Sequence, residues 1–173
     1  MPRYAHKRPG APRTATPPAP VAGARWIPLT RGAFALVDEA DFERVSHYNW
    51  HLTKNGYAAS SHRLLHRFVM NAGPKDKIDH RNNEAKLDCR RSNLRLATHS
   101  QNLHNRPVQK NNASAGMKGV SRCVTTGRWR ARIKVAGKNV WLGRFATKEE
   151  AARAYDEAAR RLVGEFAYGS EVA

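Results

Sequence analysis

Three things are scarce in this 173-residue chain, and each scarcity excludes something. Cysteine occurs twice, at Cys89 and Cys123. Two thiols that far apart cannot build a disulfide framework or a four-thiolate zinc site, so a reducing cytoplasm is the expected setting. No apolar run approaches the ~18 to 20 residues of a membrane span, and the cations are spread along the chain instead of lining one amphipathic helix. The N-terminus is basic with no apolar stretch behind it, so no secretory signal is expected. Acidic residues are few: 14 Asp and Glu stand against 31 Lys and Arg, a formal charge of +17 with pI near 10.8. That excess does not suit neutral small-molecule substrates. It predicts a polyanionic partner, most simply nucleic acid.

The length allows one domain or two small ones, each small enough that core burial alone gives marginal stability. Residues 1–24 hold six prolines, alanines and basic residues with almost nothing to bury, and read as a disordered tail. Arg3, Lys7, Arg8 and Arg13 there are either non-specific phosphate contacts or a solvated leader. Trp26–Leu29 and Ala33–Val37 read as short strands around a Thr30-Arg31-Gly32 turn. Asp38 can cap a helix carrying Phe42 and Val45 on one face, and Trp50 anchors the return. Asn55-Gly56 signals a turn before a strand at Tyr57–Ser60. Leu64, Leu65, Phe68, Val69 and Met70 predict a second short helix, ended by Gly73-Pro74.

The densest chemistry lies between Ile78 and Asn105. Ile78-Asp79-His80 reads as a strand, 81–92 as a polar loop, and Leu94-Arg95-Leu96 as a second strand. Thr98 with Gln101 three positions on is a capping box that opens a short helix, which Pro107 terminates. Asp79 and His80 are consecutive on a strand and point to opposite sides. One can hold a metal while the other reaches a water along a different path. Phosphodiester hydrolysis needs an attacking water, a base, and positive charge on the phosphoryl oxygens. An Asp carboxylate and an Asn amide oxygen, with waters and phosphate oxygens, form an all-oxygen set that favours Mg²⁺ or Mn²⁺ over Zn²⁺. A lone histidine among the eight in this chain would carry little weight. Asp79-His80 followed by Asn93 and a capped helix bearing Asn102 carries more.

These residues resemble the HNH (ββα-metal) nucleases, especially the phage homing endonucleases. The matching segments are Leu65-His66-Arg67, Ile78-Asp79-His80, Asn93-Leu94-Arg95 and Thr98-His99-Ser100-Gln101-Asn102. The resemblance implies that His80 is the general base, that Asp79 and Asn102 bind one divalent cation, and that Asn93 pins the loop through backbone hydrogen bonds. It places His66 beside them in a supporting or phosphate-contacting role. The loop before Asn93 is about one residue longer than in that pattern. This keeps His99 as an alternative ligand to Asn102, and His104 as a weaker one.

Beyond a polar linker at 109–116 the pattern changes. Gly119–Arg122 reads as a strand. From Arg128 to Val135 the residues alternate strictly, with Trp129, Ala131, Ile133 and Val135 on one face and Arg128, Arg130, Arg132 and Lys134 on the other. A Gly137-Lys138 turn leads to a strand at Val140–Phe145. Thr147 with Glu150 is another capping box. The helix it opens bears Ala151, Ala152, Ala154, Tyr155, Ala158, Ala159 and Leu162 on one face, and Gly164 stops it.

This module resembles the three-stranded-sheet-plus-helix DNA-binding domain of plant ethylene-response (apetala-type) transcription factors, which also occurs fused to HNH nucleases. The carrying segments are Gly-Val-Ser-Arg at 119–122, Gly-Arg-Trp-Arg-Ala-Arg-Ile-Lys at 127–134, Trp-Leu-Gly-Arg-Phe at 141–145 and the helix from Glu149. In that family the sheet lies in the major groove. The implied DNA contacts are Lys118, Ser121, Arg122, Arg128, Arg130, Arg132, Lys134, Asn139 and Trp141. The plant pattern has arginines where Ser121 and Asn139 stand and an acidic residue at Arg132. This implies different base readout and heavier phosphate binding.

The expected fold class is thus α+β: a small ββα-metal nuclease domain over 25–108, then a three-stranded antiparallel sheet packed on one helix over 117–167, with a short tail at 168–173. The expected function is metal-dependent cleavage of double-stranded DNA in the cytoplasm, a host's if the chain is phage-encoded, by a monomer or a homodimer. Two rivals are a transcriptional or architectural DNA-binding protein with a relic nuclease half, and an RNA-binding protein. The latter is disfavoured because neither half shows an exposed aromatic platform.

Overall fold

The structure is a computed structural model of the full chain and describes residues 15–61, 63–108 and 116–168. Arg3, Lys7, Arg8 and Arg13 of the basic tail, the linker at 109–115 and the tail at 169–173 lie outside the described residues. The chain divides into two compact units between Leu96 and Ala97. The described residues of both form small antiparallel sheets with short helices. No helix among them is long and apolar enough to cross a membrane.

In the first unit, β1 (Ala24–Pro28) pairs antiparallel with β2 (Phe34–Asp38). Part of the expected tail is bonded to this unit: Ala24 donates to the Val21 carbonyl at 3.1 Å, and Trp26 Nε1 to the Ala19 carbonyl at 3.0 Å. Helix α1 (Glu39–Ser46) follows with Asp38 at its N-cap position. Asp38 does not cap it through its side chain, however, because its Oδ2 accepts the Arg91 amide at 2.7 Å. Three very short strands, β3 (His51–Leu52), β4 (Ala58–Ser60) and β5 (Arg63–Leu64), form a second sheet around the Gly56 turn. Helix α2 (Leu65–Val69) ends at Met70, before Gly73-Pro74, because Asn71 adopts a left-handed conformation with φ 50°. Strands β6 (Ile78–His80) and β7 (Leu94–Leu96) form the third sheet.

The core of this unit is built from Ile27, Leu29, Ala35, Val37, Val45, Trp50, Leu65, Val69 and Leu94. Each larger fully buried side chain contributes about 1.5–3 kcal/mol. Trp50 also spends its indole N–H on the Val45 carbonyl at 2.9 Å, closing α1 onto the core. An ionic node joins what the core leaves separate. Asp41 of α1 is bound at both oxygens by Arg91, Nε to Oδ2 at 2.8 Å and Nη2 to Oδ1 at 2.9 Å, and at Oδ1 by Arg44 at 2.7 Å. The same two arginines donate to the Val69 carbonyl at the end of α2, at 2.9 and 3.0 Å. Carbonyls at a helix C-terminus have no partners within the helix, and cations are the natural ones to supply.

In the second unit, α3 (His99–His104) opens on the expected capping box, with the Thr98 hydroxyl and the Gln101 side chain each bonding the other's backbone. The sheet runs β8 (Val120–Arg122), β9 (Trp129–Val135) and β10 (Lys138–Phe145) with β9 central. Ala131 and Ile133 are buried while Arg132 and Lys134 are exposed, the alternation read from sequence. Helix α4 (Lys148–Val163) lays Ala151, Tyr155, Ala158 and Ala159 on that buried face, and its Thr147–Glu150 capping box is formed. Leu162 departs from the expected face: it is exposed, and Val163 and Ala167 complete the packing. Gly119 has φ 63°, and a Cβ there would overlap the Tyr155 ring and the Arg132 carbonyl, so only glycine fits.

Burial pushes the Asp41 carboxyl upward, but the bonds from Arg91 and Arg44 outweigh it and hold the group below its usual value. A depressed carboxylate contributes stability that is present above the unfolded value of about 3.9 and lost as pH falls through the folded one. Asp41→Asn is therefore expected to lower unfolding stability by about 2 kcal/mol at neutral pH. Urea denaturation should show that deficit shrinking below about pH 4.

Candidate functional site

The β6–β7 ladder sets Ile78 opposite Leu96, Asp79 opposite Arg95 and His80 opposite Leu94. Directly opposed residues share a face of an antiparallel pair. Asp79 and Arg95 therefore meet: Arg95 Nε and Nη2 contact Asp79 Oδ2 at 3.0 and 2.9 Å, with side-chain exposures of 6% and 1% for Arg95 and Asp79. A carboxylate so deeply buried needs a compensating charge, and removing either partner would strand the other.

His80 projects from the other side of β6 into a cage of rings. Its centroid lies 4.9 Å from that of His66, edge to face, and 5.9 Å from Tyr57; Tyr57 and His66 are 5.4 Å apart. His66 comes from α2 and Tyr57 from the residue before β4, so three separate segments build the pocket wall. Burial lowers His80 to about 4, against the opposing pull of Asp79, Asp88 and a hydrogen bond to the Lys86 backbone. Burial, then His80 and Arg67, lowers His66 to about 3. Both imidazoles are thus neutral at pH 7, the form in which a histidine can accept a proton. The Lys86 ammonium stands 5.2 Å from the Tyr57 ring centroid and donates to the Asn55 carbonyl at 3.3 Å, placing a cation near His80.

Asn93 closes the neck of the loop between the strands. Its Oδ1 accepts from the Asn82 amide at 3.0 Å, its Nδ2 donates to the Asp88 carbonyl at 2.9 Å, and its own carbonyl takes the Arg81 amide at 2.7 Å. Further along the loop, the backbone of Leu87 and Cys89 bonds that of Leu36 on β2, both at 2.8 Å. The loop is therefore irregular in form but held at its neck and at its middle.

Asn102 and His99 lie on α3, in the second unit. His99 is exposed, and Asn102 is half-buried. His104 is engaged structurally: its carbonyl accepts from Lys118 Nζ and its ring bonds the Lys134 backbone. Among the described residues no group of three or more His, Cys, Asp or Glu is placed to hold a metal ion. A site made from an Asp and an Asn would not be of that kind. The Asp79 carboxylate is a hard oxygen donor of the kind that suits Mg²⁺ or Mn²⁺. Arg95 is the group with which a cation would share Asp79.

On the sheet of the second unit, the register groups Ser121, Arg130 and Arg144, then Arg132 with Trp141, then Lys134 with Asn139. All lie on the face away from α4. Trp141 is 55% exposed there, so it is surface and not core. Two expected contacts differ. Arg122 pairs with Trp129, on the helix side, and its Nε donates to the Gly127 carbonyl at 3.3 Å. Lys118 is turned to the His104 carbonyl and stands 5.0 Å from the Tyr168 ring centroid; burial brings it down to about 8, against Asp156. Arg128 is exposed just before β9. Sequence reasoning passed over Arg144, whose alignment with Arg130 follows from the bulge between Trp141 and Gly143.

One unit carries an Asp-His strand pair and the other a cationic sheet, and the comparisons bear on both. An uncharacterized HNH endonuclease of Acanthamoeba polyphaga mimivirus is 34% identical over 151 residues, 82% of this chain and 77% of that protein. The chain belongs to the HNH endonuclease family. An AP2 domain matches residues 115–165. Dehydration-responsive element-binding protein 2E of Oryza sativa subsp. japonica is 54% identical over 59 residues, and AP2-like ethylene-responsive transcription factor AIL7 of Arabidopsis thaliana 57% over 49. These stretches cover 33% and 27% of this chain but only 18% and 10% of the plant proteins, so they bear on the sheet module alone. No solved structure matches the chain.

Asn93→Ala removes the side-chain bonds to Asn82 and Asp88 at the neck and keeps the backbone bond from Arg81. Loss of that set is expected to cost about 1–3 kcal/mol. Hydrogen exchange should show faster amides over residues 82–92 while the amides of β9 and α4 keep their protection.

Proposed function

We propose that this chain is a divalent-metal-dependent endonuclease of homing type that hydrolyses phosphodiester bonds in double-stranded DNA, with residues 25–108 as the cutting module and 117–167 as the DNA-binding module. The observation that carries the reading is a buried, neutral His80 placed directly after Asp79 on a strand whose following loop is locked by Asn93. His80 takes the proton from the attacking water. His66 and Tyr57 wall its ring and keep bulk water from protonating it. Asp79 with Asn102, or His99 in place of Asn102, would hold one Mg²⁺ or Mn²⁺, which supplies positive charge to the phosphoryl and leaving oxygens. Asn93 keeps the loop from collapsing onto the base. Products with 5′-phosphate and 3′-hydroxyl ends follow from the family chemistry. Arg128, Arg130, Arg132, Lys134, Asn139, Ser121 and Trp141 tether the duplex. The setting is a cell's cytoplasm, a host's if the chain is virus-encoded.

A second reading is favoured by one observation. Arg95 already neutralises Asp79, as would suit a DNA-binding protein whose nuclease half is inactive. A plasmid-relaxation assay separates the two. Supercoiled DNA should be nicked or cut with Mg²⁺ or Mn²⁺, and not in EDTA. His80→Ala should abolish cutting by more than about a hundredfold, the scale of general-base catalysis, while leaving duplex affinity nearly intact. Equal loss of both would make His80 structural, and wild-type inactivity with every divalent ion would favour the second reading.

A further inference from the structure

Beside the cationic sheet face, the second unit contains a cleft of about 740 Å³. Arg132, Lys134 and Asn139 of the sheet line it together with Lys118, His99 and Arg106; no Asp or Glu lines it. It exists because β8 is short. β8 pairs only with Trp129–Ala131, so the edge of β9 beyond Ala131 is open apart from the bond of the Arg132 amide to the Gly119 carbonyl at 2.9 Å. The end of α3 comes up to that edge: the His104 ring bonds the Lys134 backbone, Lys118 Nζ donates to the His104 carbonyl, and Asn105 is buried. Lys118 donates to α3, while Arg106 is exposed and lines the same cleft as Arg132 and Lys134.

We propose that this cleft is a second binding site for duplex DNA, seating the phosphodiester backbone that flanks the segment lying on the sheet. The proposal rests on the sheet being the DNA-facing surface. Four cationic side chains, Arg106, Lys118, Arg132 and Lys134, line a cleft with no acidic lining; they repel one another, and a polyanion is the ligand that relieves this. The open side of the cleft continues from the exposed face of β9, so one strand of a duplex can leave the sheet and pass between Lys134 and Arg106. The footprint is then wider than the three strands provide, and its outer wall comes from α3 and the residues after it.

The test measures binding of the full chain to a fluorescent mixed-sequence duplex of roughly three helical turns by anisotropy, in EDTA, across 50–200 mM salt, the range over which phosphate contacts show as a slope. Arg106→Ala should reduce the log–log salt slope by about 0.9, the value of one released counterion, and weaken binding several-fold. Arg106→Lys should restore both. Arg130→Ala and Arg144→Ala, on the sheet but outside the cleft, serve as the comparison. If they flatten the slope while Arg106→Ala does not, the cleft proposal is overturned and the sheet reading stands. If none of the variants alters the slope, the sheet reading fails and the cleft proposal falls with it.

Discussion

The Asp79–Arg95 pair is the constraint on which the first unit's chemistry depends. A carboxylate at 1% side-chain exposure cannot remain ionised without a partner, and the β6–β7 register delivers one directly opposite. That pairing keeps β6 in register, and with it His80 on the opposite side, facing His66 and Tyr57. It also sets the terms for any cation. A divalent ion bound at Asp79 would have to share it with a guanidinium that already contacts Oδ2.

Neither unit has enough apolar mass to be held by its core alone. In the first, short strands are joined by polar devices: the Asp41 node ties α1 to the end of α2 and to the loop, and Asn93 ties the loop to itself. These devices lie between the elements that carry His66 and His80. In the second unit the division is cleaner, with alanines of α4 against one sheet face and cations on the other.

Much of this could be read from the chain because some signals are local. Capping boxes at Thr98 and Thr147 and the period-2 alternation of 128–135 depend on residues a few positions apart, and all are present as expected. The opposite directions of Asp79 and His80 were readable because they are consecutive on a strand. Most of the misses are long-range. That Arg95 would cancel Asp79 depends on strand register; that Asp38 would serve Arg91 and not its own helix depends on a contact 53 positions away. Lys118 looked like a DNA contact until α3 supplied a carbonyl for it. Leu162 fitted a helical stripe, but the 3-10 turn at Gly164–Phe166 brings Ala167 into the place it would have filled. Tyr57 carried no motif, and only folding sets its ring beside His66.

Whether Asp79 holds a cation beside His80 is best tested by titrating the full chain with Mn²⁺ while following the histidine ring protons by NMR. Broadening of His80 and of the adjacent His66 at Mn²⁺ levels that leave the other histidines sharp, abolished by Asp79→Asn, is the expected result. Broadening that leaves His80 sharp, or that persists unchanged in Asp79→Asn, would contradict it.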